Sequence, residues 1–536
     1  MILTIVLLVC FFALMIGVGM YSRRHATDVN GFVLGGRSVG PWLTAFAFGT
    51  SYFSAVIFVG YAGQFGWNFG MSSTWIGLGN AFIGSLLAWS ILGRRTRVMT
   101  QHIDSKTMPD FFAKRFKSTA LSVIASFIVF VFLIPYTASL YNGLSALFGI
   151  AFPKVPYWVI IIVMAILTGI YVIFGGYMAT AINDFIQGII MLVGIVAVIF
   201  AVFADNGGFS LTIEALSRVP SANKAMMGAY TSFFGPDPLA LLFVVILTSL
   251  GTWGLPQMVG KFYAIRSEES IKQGTIISTF FAIVVAGGCY FLGGFARLYS
   301  DKITYQSDGM TPLFDTIIPS MVKQLPGVIV SLVIVLVLAA SMSTLSSLVL
   351  TSASTLTLDV IIPSLDKNKE EKSSEKKTVT ILRIFIVFFI IISAAIALIK
   401  DSHPEFTFIA QMMGVSWGAL AGAFLAPFLY GLYLKSTTKA AVAVSFICGC
   451  GIEILQLYIS LSGNNFFAEG SALNYIFTSS VRSGAVAMIL GLIVVPIVSL
   501  ITPKLPKEDV EEIFSCYEKQ YTVVVKGKER IDSGNN

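Results

Sequence analysis

The chain has 536 residues, of which 56% are hydrophobic and 12% are charged, and its formal net charge is +7. Its mean hydropathy is +0.83, whereas soluble domains carry about 25% charged residues. This composition excludes a soluble globular protein. It predicts an all-α polytopic membrane protein, because backbone groups in lipid must be satisfied within helices.

Apolar runs recur from one end of the chain to the other, and about 20 apolar residues let a helix cross a hydrocarbon core of about 30 Å. If the N-terminus lies outside, the segments predicted to be cytoplasmic hold 26 of the 35 Lys and Arg residues. By the positive-inside rule, this bias predicts a multi-pass protein of the cell (inner or plasma) membrane with its C-terminus in the cytoplasm. It also explains the net charge without nucleic acid as a partner. We predict thirteen spanning helices, at residues 2–21, 41–66, 73–93, 120–149, 158–174, 184–204, 237–265, 274–296, 325–358, 378–399, 408–432, 440–461 and 483–502.

The predicted organisation is a transmembrane domain over residues 1–502 followed by a cytoplasmic tail over residues 503–536. The long exterior loop before the seventh span is predicted to hold a short helix near residues 211–216. The amphipathic stretch 510–517 either lies on the inner leaflet or belongs to a disordered or loosely docked tail.

Two spans contain residues that interrupt a helix. The second span includes 48–54 (FGTSYFS) and the seventh includes 250–256 (LGTWGLP), and Gly and Pro weaken helices and free backbone groups. Matching interruptions at the head of two five-helix blocks are typical of inverted-repeat transporters. We therefore predict repeat one over about 41–204 and repeat two over about 237–432. A Pro kink with a Gly packing site would explain the seventh span alone.

Five hydroxyl side chains lie in the middle of the ninth span, at Ser341, Ser343, Thr344, Ser346 and Ser347. On a helix, residues three and four positions apart share a face, so most of this cluster presents neutral oxygens on one side. Such a face suits a hard monovalent cation. The alternative is structural, because Ser and Thr in membrane helices often bond to their own helix or join two helices.

A few other polar or small residues stand out within the spans. The stripe Gly414, Gly418 and Gly422 predicts the close approach of another helix. Glu453, in the middle of the twelfth span, is predicted to be protonated, paired with a neighbour or at a dimer contact, because a bare charge there is costly. Lys261 is near the inner end of the seventh span and is expected to reach the membrane surface.

Motifs for enzymatic chemistry are missing from the sequence. It has no GxxxxGK[ST] loop for ATP and no HExxH pair, its three histidines lie in predicted loops, and its five cysteines show no metal-like spacing. We therefore predict that the protein is not an enzyme.

Four motifs together resemble those of the solute:sodium symporter family, which includes bacterial carriers of proline, pantothenate, sialic acid and galactose. The resemblance extends over about residues 2–502. It implies a leucine-transporter-like 5+5 inverted repeat with one helix before it and two after it, which agrees with thirteen spans. The motifs are 32–38 (FVLGGRS), 49–54 (GTSYFS), 174–177 (FGGY) with Asn183-Asp184, and 339–344 (AASMST).

The resemblance implies a sodium ion where the first interrupted helix meets the hydroxyl-rich helix. Its ligands would be the backbone carbonyls of Thr50, Phe53 and Ala340 and the hydroxyls of Ser343 and Thr344. Neutral oxygens of this kind can replace part of a hydration shell and still release the ion.

Some members of the family bind a second sodium ion, and the resemblance places its ligands here at Asp184, Ser346 and Ser347 together with Ser343. We therefore predict two bound sodium ions as the transported cations. The alternatives for Asp184 are a carboxylate stabilised by the dipole of a helix N-terminus and an exit station for the ion.

The resemblance also implies a solute site midway across the membrane. This chain lacks the Glu-Gln pair of the sugar carriers and departs from the proline carriers at three positions, whereas Tyr52 and the Asn-Asp pair match the pantothenate-like branch. The solute is thus expected to be an amino acid, a pantothenate-like compound or another small carboxylate. The candidate binding residues are Tyr52, Ser54, Thr252, Trp253 and Trp417.

Together these features predict a sodium-coupled secondary active symporter that imports a small organic solute by alternating access. Its partners would be that solute and the lipid bilayer, and no oligomer is required. A proton-coupled or uncoupled transporter of the same fold is the main alternative. An ion channel or membrane sensor is a different class, but the sequence shows neither a repeated filter motif nor a soluble signalling domain.

Overall fold

The structure is a computed structural model that describes residues 2–221, 226–306, 308–367, 373–401, 408–518, 522–525 and 528–531. Most of the described chain is helical. The only strands within those ranges, Thr522–Val525 and Lys528–Ile531, form an antiparallel hairpin in the tail. The α-helices of at least eight residues are Ile2–Ser22, Pro41–Tyr52, Ala62–Phe69, Arg94–His102, Met108–Phe116, Thr119–Ala151, Tyr157–Asp205, Phe209–Ser217, Pro238–Gly254, Pro256–Ala264, Glu268–Ala282, Gly327–Leu356, Glu375–Asp401, Phe408–Tyr433, Lys439–Ser462, Ser480–Ile501 and Lys507–Phe514.

Ten helices in the described residues are long and apolar enough to cross a membrane, or eleven if the bent pair Pro238–Gly254 and Pro256–Ala264 is one span. The protein is therefore a multi-pass, mostly helical membrane protein. The predicted count of thirteen differs from this count because two of the ten helical stretches, Val56–His102 and Tyr157–Asp205, have 47 and 49 residues. At 1.5 Å per residue each would extend roughly 70 Å.

The helix Tyr157–Asp205 corrects one predicted boundary. The segment 175–183 was expected to connect two spans, but it is helical on both sides of a sharp kink at Gly176, whose φ of 55° and ψ of −148° favour glycine. Asp184 consequently lies about two turns beyond the kink. It is not at a helix start, so stabilisation by an N-terminal dipole does not apply to it.

Both predicted interruptions are present. The first broken helix consists of Pro41–Tyr52, an extended residue at Phe53, and a helix that resumes at Val56. The second broken helix consists of Pro238–Gly254, an extended residue at Leu255, and Pro256–Ala264, with a bend of 44°. Pro256 is suited to its place, because the first helical position needs no N–H donor.

The hydroxyl-rich helix, Gly327–Leu356, lies at the centre of the molecule, and its residues from Val333 to Leu350 are all buried. It packs against the helices Thr119–Ala151 and Tyr157–Asp205 and against the first broken helix. The polar stretch of this helix thus faces protein rather than lipid.

The close helix approach predicted from the glycine stripe is present in the structure. A Cβ atom on Gly418 would lie only 2.8 Å from the Cα atom of Gly484 and 2.5 Å from Oε1 of Glu453. Glu453 itself is buried within the chain and accepts a hydrogen bond of 2.8 Å from the Ser483 hydroxyl. The Ser483 hydroxyl thus pairs with Glu453, and this contact is compatible with a protonated carboxyl as well as with an ionised one.

Two predictions outside the spans can also be compared. The short exterior helix is present as Phe209–Ser217. The tail helix Lys507–Phe514 buries Ile513 and Phe514 against the protein, and the Tyr517 hydroxyl donates a 3.0 Å hydrogen bond to the carbonyl of Arg95. The amphipathic face is therefore docked on the helical bundle and does not lie on the leaflet.

Candidate ion and solute sites

The first broken helix and the hydroxyl-rich helix meet at the predicted first ion site. The Ser343 hydroxyl lies 3.2 Å from the Thr50 carbonyl oxygen and 3.1 Å from that of Ala340. The Thr344 hydroxyl lies 3.1 Å from the carbonyls of Thr50 and Ala340 and 3.4 Å from that of Phe53. All five oxygens named by the sequence thus converge on one small region.

The reason for this convergence is the break in the first broken helix. The extended conformation of Phe53, with φ −81° and ψ 114°, frees carbonyls near the end of Pro41–Tyr52 from the helical ladder. Four residues that supply these oxygens from the two helices are fully buried: Thr50, Phe53, Ser343 and Thr344. The site therefore offers neutral oxygens in a setting shielded from water, where a monovalent cation would gain from each of them.

The remaining hydroxyls of the cluster have separate partners. Ser341 donates to the Val337 carbonyl at 2.7 Å and Ser346 to the Ser343 carbonyl at 2.9 Å, both within the helix. Ser347 lies 2.8 Å from the Ser51 hydroxyl across the helix interface. Ser341 and Ser346 thus bond to their own helix, as the structural interpretation of the cluster predicts, and Ser343 and Thr344 do so as well through the carbonyl of Ala340.

The predicted second ion site contains a lysine. The Lys261 ammonium donates a 3.0 Å hydrogen bond to the Ser347 hydroxyl and lies 3.7 Å from Oδ2 of Asp184. The lysine and aspartate side chains are 4% and 1% exposed. Lys261 therefore does not reach the membrane surface as expected; it points inward from the second broken helix.

A narrow cleft of about 50 Å³ leads to this lysine. Its lining includes Lys261, Ser347, Gln257 and Tyr177, and also Lys106 and Thr107 from a segment predicted to be cytoplasmic. The cleft thus joins the predicted second ion site to the side of the molecule on which the cytoplasmic loops are predicted to lie.

The candidate solute residues fall into two groups. Tyr52 and Thr252 line one small cavity of about 10 Å³ between the two broken helices, and none of its lining residues is charged. The ring of Tyr52 lies 5.7 Å from that of Trp417, so the aromatic candidates are adjacent. The other polar lining residues are Asn80, Ser85 and Ser278.

Tyr52 is held in place by a polar chain. The Asn80 amide donates a hydrogen bond to the Tyr52 hydroxyl, and the Ser249 hydroxyl donates to Oδ1 of Asn80 at 3.2 Å. Thr252 donates to the Gly84 carbonyl at 2.9 Å. These bonds tie the first broken helix to the second through the helix Asn80–Leu87.

A second group of candidates surrounds Trp417. The Tyr136 hydroxyl is directed at the Ser54 hydroxyl and the Trp417 indole N–H, yet in the described residues none of these three buried atoms has a partner within hydrogen-bonding geometry. Buried polar groups in proteins are normally satisfied. These three groups face one another at longer than ideal geometry, so a polar ligand between them would complete the bonding of each.

Trp253 has a structural environment. Its indole N–H donates a 3.0 Å hydrogen bond to the Ile83 carbonyl, so its one polar atom is already engaged. Trp253 is not among the residues that line the cavity beside Tyr52, and its contact with a solute stays a prediction.

Sequence reasoning did not identify Asn80, Tyr136 or Ser51 as site residues. Asn80 is the one asparagine in the third predicted span, and that isolated polar residue was a usable signal. Tyr136 carried none, because tyrosines are common in membrane helices and only the packing against Trp417 at 6.1 Å between ring centres shows its place.

Comparisons with known proteins agree with this architecture. Sodium/proline symporters of Staphylococcus aureus strains JH9 and NCTC 8325 / PS 47 are each 28% identical to this chain over 510 residues, which is 94% of this chain and 93% of theirs. The solved structure of a substrate-bound, outward-open Na+-coupled sialic acid symporter has a TM-score of 0.73 and 17% identity, covering 94% of this chain and 98% of that chain. That likeness shows a shared fold.

The family model described as the sodium:solute symporter family matches residues 32–449, which is most of the chain. Its members are transporters that carry a solute together with sodium, and they are not enzymes. The match is consistent with the broken helices and with the oxygens that meet between them. The chain belongs to the sodium:solute symporter family.

Proposed function

We propose that the protein imports a small organic solute by coupling it to sodium entry at the site formed by Thr50, Phe53, Ala340, Ser343 and Thr344. The observation that carries this proposal is the approach of the Ser343 and Thr344 hydroxyls to three carbonyls, at 3.1–3.4 Å. This donor set of hard neutral oxygens suits Na+.

The position of the ion explains how coupling would arise. A cation held between the first broken helix and the hydroxyl-rich helix would join an element of repeat one to an element of repeat two, and its binding would favour one arrangement of the repeats. Entry of each positive charge gains about 2.3 kcal/mol per 100 mV of membrane potential.

Proton coupling is the competing mechanism. It would require a titratable group at the coupling site, and the described ligands of the first site are hydroxyls and carbonyls. The pair Asp184 and Lys261 is titratable but lies at the predicted second site. The first site therefore favours sodium as the driving ion.

The topology that accompanies this function has thirteen crossings with the N-terminus outside. Dividing the 47-residue and 49-residue helical stretches near Gly70 and Gly176, where φ is 62° and 55°, and counting each broken helix once supports that number. Repeats over about 41–204 and 237–432 would then each begin with a broken helix.

The solute is proposed to be small and polar. The cavity between the two broken helices has only about 10 Å³ of free volume, roughly the space of one water molecule, so a solute would enter only when these helices move apart. The hydroxyl and amide groups of the cavity suit a polar, net-neutral molecule. A solute carboxylate would be received by free backbone N–H groups at the break, as at a helix N-terminus.

The experiment is thermal unfolding of the purified full-length chain in NaCl and in KCl, with and without each member of a solute panel. The panel contains L-proline, other neutral amino acids, pantothenate, short carboxylates and sialic acid. We expect Na+ alone to raise the Tm and one solute to raise it further only in NaCl, because ligands stabilise the state they bind. A solute that stabilises equally in KCl would contradict sodium coupling.

A further inference from the structure

Lys261 occupies the place that a second transported cation would need. Its ammonium lies 3.0 Å from the Ser347 hydroxyl and 3.7 Å from Oδ2 of Asp184, and both of these residues were expected to bind sodium. The Tyr177 ring lies beside it, with its centre 5.3 Å from Nζ. The group that meets these oxygens is thus a cation supplied by the chain itself.

The charges at this position already balance. Both carboxylate oxygens of Asp184 lack a hydrogen bond in the described part of the chain, so their nearest compensation is the Lys261 ammonium. Lys106 lines the adjoining cleft and adds a further positive side chain. A sodium ion placed here would meet one negative charge and the repulsion of a buried ammonium, which a low-dielectric interior does not screen.

The remaining expected ligands do not converge on a second ion. Ser343 is directed to the carbonyls of Thr50 and Ala340 at the first site. Ser346 donates to the Ser343 carbonyl within its own helix. Only Ser347 and Asp184 face the position, and the ammonium contacts both.

We propose that the Lys261 ammonium is a resident cation in the second ion site, so that this transporter binds one sodium ion per transport cycle. The inference rests on the proposed function, because it assumes that the first site binds sodium. It revises the expectation of two sodium ions from the family resemblance. Lys261 thereby sets the ion stoichiometry: the lysine supplies the charge that bridges Asp184 to Ser347, and it stays with the protein when the transported ion leaves.

Lys261 lies where it can keep its contacts while the surrounding helices move. Lys261 belongs to the second half of the second broken helix, whereas Asp184 and Ser347 belong to two other helices. The ion pair therefore joins three helices at the inner end of the site. A side chain with a flexible four-carbon stem keeps such a contact through small helix movements, which a fixed ligand set would lose.

The test is equilibrium binding of radioactive sodium to the full-length chain in detergent. The wild type is expected to bind one ion per chain with a Hill coefficient near one. Lys261→Met removes the charge and preserves much of the length, so Asp184 becomes free to bind sodium and the stoichiometry is expected to double. Lys261→Met with Asp184→Asn should return it to one, and Lys261→Arg should keep it at one.

The outcomes separate this inference from the proposed function. Two ions on the wild type, or one ion on a folded Lys261→Met variant, would overturn the resident cation while leaving sodium coupling intact. No sodium bound to the wild type would overturn the proposed function itself. The double variant Ser343→Ala with Thr344→Ala, which lacks both hydroxyls of the first site, gives the reference signal for absent sodium binding. If Lys261→Met does not fold, the wild-type count and the Lys261→Arg count still decide between one ion and two.

Discussion

Phe53 and Leu255 interrupt two different helices with nearly the same backbone conformation. Their dihedral angles are φ −81°, ψ 114° and φ −82°, ψ 120°. Each break leaves carbonyls of the preceding turn without an intrahelical partner. The first break faces the hydroxyls of Ser343 and Thr344, whereas the second is followed by the short helix that carries Lys261. Two breaks of the same backbone geometry thus have different surroundings: the first meets hydroxyls, and the second orients a short helix that carries a lysine.

Replacing both Ser343 and Thr344 by alanine should abolish stabilisation by sodium. The substitutions remove two of five neutral oxygens, and the three remaining carbonyls carry no net charge that would hold Na+ in their place. At a sodium concentration 100 times the Kd, binding adds about 2.7 kcal/mol to the free energy of unfolding, and this gain should disappear. Thermal unfolding in NaCl against KCl measures it.

Ser341→Ala is the matched control for that variant. Ser341 lies on the same helix, is equally buried and donates only to the Val337 carbonyl of its own helix. It should retain the full sodium effect. Equal loss in both variants would show that hydroxyls stabilise the helix and do not bind the ion.

Tyr136→Phe should weaken solute binding without destabilising the protein. Its hydroxyl is buried beside Ser54 and Trp417 without a partner in bonding geometry, and an unsatisfied buried polar group costs about 1–3 kcal/mol. Removing it therefore leaves the unliganded protein at least as stable. Loss of one hydrogen bond to solute should raise the KM of uptake by about tenfold, at about 1.4 kcal/mol.

Tyr430→Phe is the control for the solute experiment, because the Tyr430 hydroxyl donates to the Leu492 carbonyl away from the candidate site. It should leave the KM unchanged. Sodium binding to Tyr136→Phe in the absence of solute should equal that of the wild type. A drop in Tm together with an unchanged KM would assign Tyr136 to packing.

Gly418→Ala should destabilise the protein by about 1–3 kcal/mol, the usual cost of overpacking a filled interior. The new methyl group would meet the carboxylate of Glu453 and the Cα atom of Gly484 at 2.5 and 2.8 Å, and a backbone contact cannot rotate away. Thermal unfolding in detergent checks the result. Gly451→Ala, on the neighbouring helix Lys439–Ser462, has nothing within 4 Å and should be neutral or slightly stabilising.

Phe514→Ala should release the tail helix from the bundle. Its ring is buried and lies 4.9 Å from the Arg115 guanidinium, whose own pKa burial lowers to about 10. Truncating a buried Phe typically costs about 3–5 kcal/mol, which exceeds what one further hydrogen bond of the tail can recover. Limited trypsin digestion at Lys507 should accelerate by about tenfold or more, because cleavage follows the open population.

Glu511→Ala is the matched control on the same helix. Glu511 is exposed and alanine favours helix at least as well as glutamate, so the digestion rate should stay unchanged. If both variants are cleaved equally fast, the faster digestion does not come from undocking of the Phe514 ring.

Residue identity and spacing along the chain indicated the two segments of the candidate first ion site. A local run of small and polar residues predicts free carbonyls near Thr50 and Phe53, and the hydroxyls of Ser343 and Thr344 lie side by side on one helix. Burial of the whole stretch followed from its apolar neighbours. Local chemistry and helical periodicity thus indicated two polar segments, and only the resemblance to the symporter family implied that these segments meet, nearly 300 residues apart.

The glycine stripe and the tail show the limits of the same reasoning. Spacing predicted that a helix approaches Gly418, but it could not show that Glu453 and Gly484 are the groups that arrive there. Likewise an amphipathic helix at Lys507–Phe514 has an apolar face whether that face meets lipid or protein. Its partner depends on shapes that come from distant parts of the chain.

By itself, the sequence determined a multi-pass membrane protein with two broken helices and a set of neutral oxygens for a cation, because composition and periodicity act locally. Only the tertiary structure decided whether the Lys261 side chain extends towards the membrane surface or into the protein. A lysine near the end of a span can extend towards water or turn inward with equal ease along its flexible stem. The inward direction depends on the rotation of the helix after Leu255 and on the carboxylate of Asp184, which comes from a different helix.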